Sequence, residues 1–147
     1  MRGWIPEKAY SGPQSRDGRV EFGGKGHTVL RRREIMAHIK NQECIRACEQ
    51  CAEECEHCAS ACLQEQDVKM MAKCIALDRD CADACALAAR WMARGSDYAK
   101  SLCRLCAEVC RACAAECRKH KMEHCQRCAD ACERCAKECE TFAGSKA

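Results

Sequence analysis

The sequence lacks most of the features that mark membrane proteins, enzymes and nucleic-acid-binding proteins. It contains no apolar run of about 18 residues, so no membrane-spanning helix and no membrane partner are expected. Aromatic residues make up 4% and the formal net charge is only +3, too little for a nucleic-acid partner. Neither a Ser/His/Asp set nor a phosphate loop or Gly-rich nucleotide turn is visible. These absences predict a protein that is not an enzyme.

Signals for export are also missing. Residues 1–8 contain no continuous apolar segment and no small-residue cleavage site, and the basic run at 31–33 is not followed by an apolar run. The expected location is therefore cytoplasmic, where thiols stay reduced. The odd number of cysteines, 19, also argues against a closed set of disulfides.

Proline and glycine are scarce overall and concentrated at the start. Residues 1–28 hold both prolines, six of the eight glycines and no cysteine. Because Pro and Gly oppose helix formation, we predict an irregular N-terminal arm over 1–28, a metal-binding helical bundle over 29–142 and a C-terminal tail over 143–147. Two interpretations of the arm are open: it is a flexible tail, or it is a segment that lies on a partner.

Cysteine dominates the remaining chain, and its spacing is helical. Successive cysteines are mostly three or four residues apart, which keeps them on one face of a helix. They fall into four groups: Cys44, Cys48, Cys51, Cys55, Cys58 and Cys62; Cys74, Cys81 and Cys85; Cys103, Cys106, Cys110, Cys113 and Cys117; Cys125, Cys128, Cys132, Cys135 and Cys139. The second stripe is completed by Asp78, Ala88 and Met92.

Local signals divide these groups into four helices. The first helix is predicted from about Leu30 to about Glu65. The second begins after an Asp67 N-cap and ends near Arg94, with Gly95 at C′. Ser96 is predicted to cap the third helix. The third stripe, continued by sevens, reaches His124, whereas the fourth begins one residue later at Cys125. Such a skip rotates the face by about 100°, so a turn is predicted over 119–122; a single helix over 97–141 is the alternative.

Four helices joined by short turns predict an all-α fold, an antiparallel four-helix bundle with a Cys-lined core and an irregular N-terminal arm. A purely structural role for the cysteines as core residues is disfavoured, because leucine buries more apolar area and does not oxidise. Disulfides within a helix are disfavoured because Cβ atoms at i and i+4 are about 5–6 Å apart. Helical Cys-x₂-Cys and Cys-x₃-Cys steps also differ from zinc knuckles and ferredoxin runs.

Soft thiolates select Cu(I), zinc or iron–sulfur clusters, and a row of i,i+4 pairs suits low-coordinate Cu(I). If all 19 thiols ionised, the net charge would become 3 − 19 = −16. One Cu(I) per thiolate restores +3, so many Cu(I) ions per chain, near one per cysteine at the limit, are expected together with proton release. An iron–sulfur or thiol redox protein and a zinc buffer are the alternative functions.

The stripes of cysteines in four helical segments, without a signal peptide, resemble the bacterial copper storage proteins, and more closely their cytosolic branch. The resemblance covers about residues 30–142. It implies high-capacity Cu(I) storage or detoxification in the bundle core, with the 19 cysteines as ligands, and a homotetramer. A copper chaperone and a shell protein are further candidate partners.

Copper must reach the core through one end of the bundle. In an antiparallel bundle the first and third turns share an end, where His120, His124, Met122 and Met70 lie close to cysteines. Imidazole and thioether groups suit capture and relay, so these four residues are predicted to form a mouth for metal uptake. Asp78 is predicted to be a minor ligand or hydrogen-bonding group inside the core.

Overall fold

The structure is a computed structural model that describes the backbone of residues 26–145 and the side chains of residues 41–145. It contains four helices: α1 Gly26–Cys62, α2 Val68–Ala93, α3 Ala99–Cys117 and α4 Glu123–Gly144. The predicted all-α architecture is confirmed. Most of the predicted arm, residues 1–25, lies outside the described residues.

Both outer boundaries differ from the prediction by a few residues. The first helix begins at Gly26 rather than near Leu30, and α4 continues to Gly144, two residues into the predicted tail. Glycine costs about 1 kcal/mol in a helix interior, but a helix end tolerates it because fewer backbone bonds depend on it. Residues 26–28 are therefore helical rather than part of an irregular arm.

The caps around α2 follow the local sequence. The side chain of Asp67 accepts a hydrogen bond from the Met70 N–H at 3.4 Å. At the other end Gly95 has φ +66, its N–H donates to Met92 O, and the Ser96 N–H donates to Trp91 O. This pair of bonds is a Schellman motif, so the predicted ends of α2 are confirmed.

The start of α3 differs from the prediction. Its N-cap is Tyr98, not Ser96, and Tyr98 makes no side-chain cap bond. Ser96 instead accepts a hydrogen bond from the Tyr98 N–H at 3.3 Å through its hydroxyl. The helix therefore begins at Ala99, two residues later than a Ser96 cap predicts.

The change in cysteine phase marks a real turn. The third helix ends at Cys117 and α4 begins at Glu123, which confirms the predicted break and makes the single helix over 97–141 wrong. Within the part described, α1 and α3 each pack against both α2 and α4. The turns at 63–67 and 118–122 therefore lie at one end of the bundle, and the turn at 94–98 at the other.

The centre of the bundle is filled by small side chains. Its buried residues are almost all Cys and Ala, with Met71 near one end and Met92 near the other. Among the residues that the structure describes, none of the helices is long and apolar enough to cross a membrane. The core is therefore a narrow axis along which sulfur is the dominant element.

Candidate metal-binding core

Every cysteine points into the core. All 19 are free thiols, and each is at most 1% exposed. They come from all four helices, because each helix places its three-and-four stripe on the inward face. The predicted column of reduced sulfur is thus present along the bundle.

Sulfurs on the same helix lie at distances that suit one bridging ion. The i,i+4 pairs Cys51/Cys55 and Cys81/Cys85 are 4.0 Å apart, and Cys58/Cys62 are 3.9 Å apart. With a metal–sulfur bond of about 2.3 Å, two ligands are about 4.0 Å apart in trigonal geometry and about 4.6 Å in linear geometry. The helical pairs need little movement to hold a low-coordinate ion.

Sulfurs from different helices meet as closely. Cys51 lies 3.6 Å from Cys132 on α4 and 4.0 Å from Cys110 on the diagonally placed α3. Cys85 on α2 lies 3.6 Å from Cys135 on α4, and these two helices are the other diagonally placed pair. Since side chains from opposite helices touch, the column has no empty channel between them.

Neighbouring groups of possible ligands share members. Groups whose ligand atoms all lie within 4.8 Å of one another include the following sets: Cys48, Cys106, Cys135 and Cys139; Cys51, Cys81, Cys85 and Cys110; Cys51, Cys55, Cys81 and Cys132; Cys55, Cys113, Cys128 and Cys132. Cys51, Cys55, Cys81 and Cys132 each belong to two of them. A shared thiolate can bridge two ions, so the geometry favours a continuous cluster over isolated sites.

Burial keeps thiols at the end of the column protonated without metal. Desolvation raises the pKa of Cys125 to about 11, and neighbouring Cys74 adds to the effect. Desolvation also raises the pKa of Cys62, with a further contribution from Cys125. Binding of a cation here must therefore displace protons at neutral pH.

Asp78 lies within the column, in the position that a cysteine occupies in the other stripes. It is fully buried, and its Oδ1 accepts hydrogen bonds from the thiols of Cys113, Cys117 and Cys128 at 3.1, 3.4 and 3.3 Å. Its Oδ2 lies 3.7 Å from Cys74 Sγ. Burial raises the pKa of this carboxyl to about 8, and the nearby Cys128 adds to the shift.

His124 forms the outer end of the column. Its Nδ1 lies 3.4 Å from Cys125 Sγ, 3.6 Å from Cys58 Sγ and 3.9 Å from Cys62 Sγ. These four side chains form one of the groups that could hold an ion. On its other side, His124 Nε2 is 3.0 Å from Glu65 Oε1.

His120 lies at the same end in a different environment. Its Nε2 is buried and has no hydrogen-bond partner among the described residues; Glu116 Oε1 is 3.8 Å away. Glu116 is itself buried and pairs with Lys119 at 2.7 Å and Lys73 at 3.3 Å. These lysines lower the pKa of Glu116, the hydrogen bond from Lys119 being the main cause.

The two predicted methionines are placed differently from each other. Met122 is half-buried and packs against the core, whereas Met70 is 68% exposed. The opposite end of the column, at Cys44 and Cys139, is covered by apolar groups that include buried Met92 and Ala99 and half-buried Phe142. Among the side chains that the structure describes, those of residues 41–145, imidazoles thus occur at one end of the column and apolar groups at the other.

Two acidic residues at the imidazole end were not predicted from the sequence. Glu65 lies in the turn after α1, and Glu116 lies on α3 beside Cys117. Glu65 continues the α1 stripe by a step of three after Cys62, whereas Glu116 lies outside the α3 stripe. The folded bundle brings the two carboxylates against His124 and His120. Spacing could therefore have identified Glu65, which follows Cys44, Cys51 and Cys58 at intervals of seven, but not Glu116.

Comparisons with known proteins agree with this arrangement. A family model described as "Copper storage protein" matches residues 37–144. The chain is 46% identical to the Cu(I)-bound copper storage protein BsCsp3, a Csp3 of Bacillus subtilis, over 71% of this chain and 99% of that one, with a TM-score of 0.69. It is 36% identical to a cytosolic copper storage protein from Streptomyces lividans holding five coppers, over 76% and 98% of the two chains, with a TM-score of 0.73.

A curated relative gives a shorter match. The chain is 47% identical over 69 residues to an uncharacterized cysteine-rich protein, YhjQ, of Bacillus subtilis, which is 47% of this chain and 64% of that protein. The chain thus aligns with less than two-thirds of that relative's length.

Proposed function

Because this chain belongs to the copper storage protein family, we propose that it stores Cu(I) in thiolate clusters along the axis of its four-helix bundle. The observation that carries the proposal is the column of 19 buried free thiols with sulfur–sulfur contacts of 3.5–4.0 Å. Soft thiolates select Cu(I), zinc or iron–sulfur clusters, and Cu(I) is the ion bound by the relative BsCsp3. The family is one of storage rather than catalysis, and the proposed activity has no turnover.

The capacity follows from charge. Full ionisation of the column would give 3 − 19 = −16, and a buried charge of that size requires compensation. One Cu(I) per thiolate restores the original charge, so loading approaches one ion per cysteine. Relatives in the family carry several ions: the Streptomyces lividans protein has been obtained with five coppers and with 10 copper equivalents.

A titration of the reduced protein with Cu(I) against a competing chelator tests this function. We expect binding to continue well beyond ten ions per chain, with about one proton released for each ion bound. Saturation at one to four Cu(I) ions, or binding without proton release, would contradict storage in the whole column.

Zn²⁺ is the second candidate, because four sulfurs within 4.8 Å also fit a tetrahedral site. Competition between Cu(I) and Zn²⁺ distinguishes the two: a zinc buffer keeps its zinc, and a copper store releases it. A thiol redox enzyme requires an exposed, low-pKa cysteine, whereas all 19 thiols here are buried.

We place metal uptake at the end that carries His120 and His124. The two imidazoles are four residues apart and lie next to the outermost thiols. The Streptomyces protein has been solved with alanine in place of two histidines that are also four residues apart.

Replacing both His120 and His124 by Ala should slow Cu(I) loading several-fold and leave the capacity nearly intact. The matched control is His57→Ala, because His57 is an exposed residue on α1. Equal loading rates in both variants would remove this role.

The proposed assembly is a homo-oligomer in the cytosol. The Streptomyces relative is described as cytosolic. Support for assembly comes from the outer face shared by α2 and α3, where Leu87, Tyr98 and Leu105 are exposed. Exposed ion pairs join α2 to α1 through Arg79–Glu56 and α4 to α1 through Arg127–Glu54. On the part of the α2–α3 face that the structure describes, the pair Lys73–Glu116 lies near the mouth, away from the exposed apolar side chains. A copper chaperone as donor and a shell protein as host are the other candidate partners.

A further inference from the structure

The imidazole of His124 is held between the sulfur column and the surface. Nδ1 faces three thiols at 3.4–3.9 Å, and Nε2 lies 3.0 Å from Glu65 Oε1. The His124 side chain is 14% exposed and that of Glu65 is 37% exposed. The carboxylate is therefore the last protein group between this imidazole and solvent on that side.

This contact determines which ring nitrogen carries a proton. An ionised carboxylate only accepts hydrogen bonds, so Nε2 must be the N–H that donates to Glu65. In the neutral ring, Nδ1 then presents its lone pair to the sulfurs. Carboxylates hydrogen-bonded to the distal nitrogen of a metal-binding histidine fix its tautomer and ring orientation in this way.

The position of Glu65 is itself constrained. It lies in the turn between α1 and α2, and its N–H donates to Cys62 O at 3.3 Å. One end of the contact thus belongs to the turn after α1, whereas His124 lies in the first turn of α4. The hydrogen bond joins these two elements across the mouth.

His120 has no such contact. Its Nε2 is 3.8 Å from Glu116 Oε1, beyond hydrogen-bond distance, and the other oxygen of Glu116 is occupied by Lys73 and Lys119. Of the two imidazoles at the mouth, His124 is therefore the one whose tautomer and orientation are fixed by a carboxylate.

We propose that Glu65 is a positioning residue for copper uptake: it holds His124 as the Nε2–H tautomer, with Nδ1 aimed at Cys58, Cys62 and Cys125 to receive the incoming ion. This inference rests on the proposed storage function and adds a residue that is not one of the 19 cysteines. Glu65 need not touch copper, since it acts through His124.

The first test uses the copper-free, reduced protein. Imidazole ¹⁵N chemical shifts should show the Nε2–H tautomer for His124 in the wild type and a mixture of tautomers in Glu65→Ala. Glu56→Ala is the matched control, because Glu56 is an exposed glutamate on α1 that pairs with Arg79. A His124 tautomer that is the same in all three proteins overturns the proposal.

The second test measures loading of the first Cu(I) equivalents from a chelator complex. Loss of a carboxylate behind a ligating histidine costs about 10–100-fold, so Glu65→Ala should load about ten-fold more slowly than wild type and Glu56→Ala at the wild-type rate. In a His124→Ala background, Glu65→Ala should cause no further slowing. The same ten-fold effect there would show that Glu65 does not act through His124.

The final Cu(I) capacity separates this inference from the storage function. A high capacity with a loading rate unchanged in Glu65→Ala refutes only the role of Glu65, whereas a low wild-type capacity refutes storage.

Discussion

Cysteine and alanine occupy the inward positions at which a four-helix bundle ordinarily carries leucine and isoleucine. Each substitution of leucine by cysteine gives up buried apolar area, worth about 25 cal/mol per Å². The copper-free bundle therefore relies on a weaker core, and ions that bind only the folded state supply stability as they load. The cysteine side chains thus form both the candidate metal site and most of the buried core.

Asp78 shows how a single residue modifies that column. Its carboxyl is surrounded by thiols and lies among the possible ligands of several ions. At neutral pH the raised pKa keeps much of it protonated in the absence of metal. A negative charge at this position is then compatible with burial only when cations are nearby.

We predict that Asp78→Asn removes a pH dependence from the stability of the copper-free protein. A carboxyl whose pKa rises to about 8 on folding stabilises the folded state fully below the unfolded value of 3.8. That contribution declines as the pH rises and is lost above about 8, a difference of about 6 kcal/mol at most. Urea unfolding under reducing conditions between pH 4 and 8 should show this decline in wild type and in Asp83→Asn, an exposed control on α2, but not in Asp78→Asn. Parallel curves for all three proteins would contradict the assignment.

Individual helices were largely predictable from the chain. Steps of three and four define the inward face without any tertiary information, and the cap signals of Asp67 and Gly95 are local. The one-residue phase shift between Cys117 and Cys125 located a turn that has neither Gly nor Pro. The start of α3 was less predictable, because the Ser96 hydroxyl accepts a hydrogen bond from the Tyr98 N–H as a cap would, yet the helix begins only at Ala99.

Contacts between elements were not predictable in the same way. Which cysteine of α1 meets which cysteine of α4 depends on the axial offset of the helices, and turn geometry sets that offset. For this reason the sequence predicted that His124 lies near the outer thiols but not that Glu65 lies behind it. The environment of Asp78 depends likewise on α3 and α4, which its own stripe does not reveal.

Gly95 gives a prediction at the scale of the helix end. Its φ of +66 is the left-handed conformation that ends α2, and a Cβ there would meet no atom within 4 Å. Gly95→Ala should therefore destabilise the protein through backbone strain alone, by about 1 kcal/mol. Gly144→Ala is the matched control, since its added Cβ also meets nothing and its φ is not left-handed. Chemical denaturation measures both; equal stability of the two variants would show that the turn can end α2 without a left-handed residue.

For the molecule as a whole, the two ends of the column are different. Of the side chains described, imidazoles and carboxylates lie at the end formed by the turns at 63–67 and 118–122, while Met92, Ala99 and Phe142 pack at the other. Polar groups that can exchange a ligand occur at the first end, so we expect the column to fill from there. Exchange of copper with a partner would then leave the outer face of α2 and α3 free for assembly.

That face is self-complementary. On α2 the positions Lys73, Leu77, Asp80, Ala84, Leu87, Trp91 and Arg94 follow steps of four and three, so they share one side of the helix. Asp80 and Arg94 lie seven residues before and after Leu87. An antiparallel pair of α2 helices related by a two-fold axis at Leu87 would therefore place each Asp80 opposite an Arg94 of the second copy.

We predict that Leu87→Lys dissociates the proposed homo-oligomer. Two lysines would meet at the two-fold axis, where burial of unpaired like charge is unfavourable, and Leu87 is 40% exposed in the single chain, so the monomer has room for the longer side chain. Sedimentation velocity should show a smaller species for the variant than for wild type, with Cu(I) capacity per chain unchanged because the sulfur column lies within one bundle. Leu63→Lys is the control, since Leu63 is also exposed but lies in the turn after α1. A wild-type protein that sediments as a monomer, or a Leu87→Lys variant of wild-type size, would exclude this face as the interface.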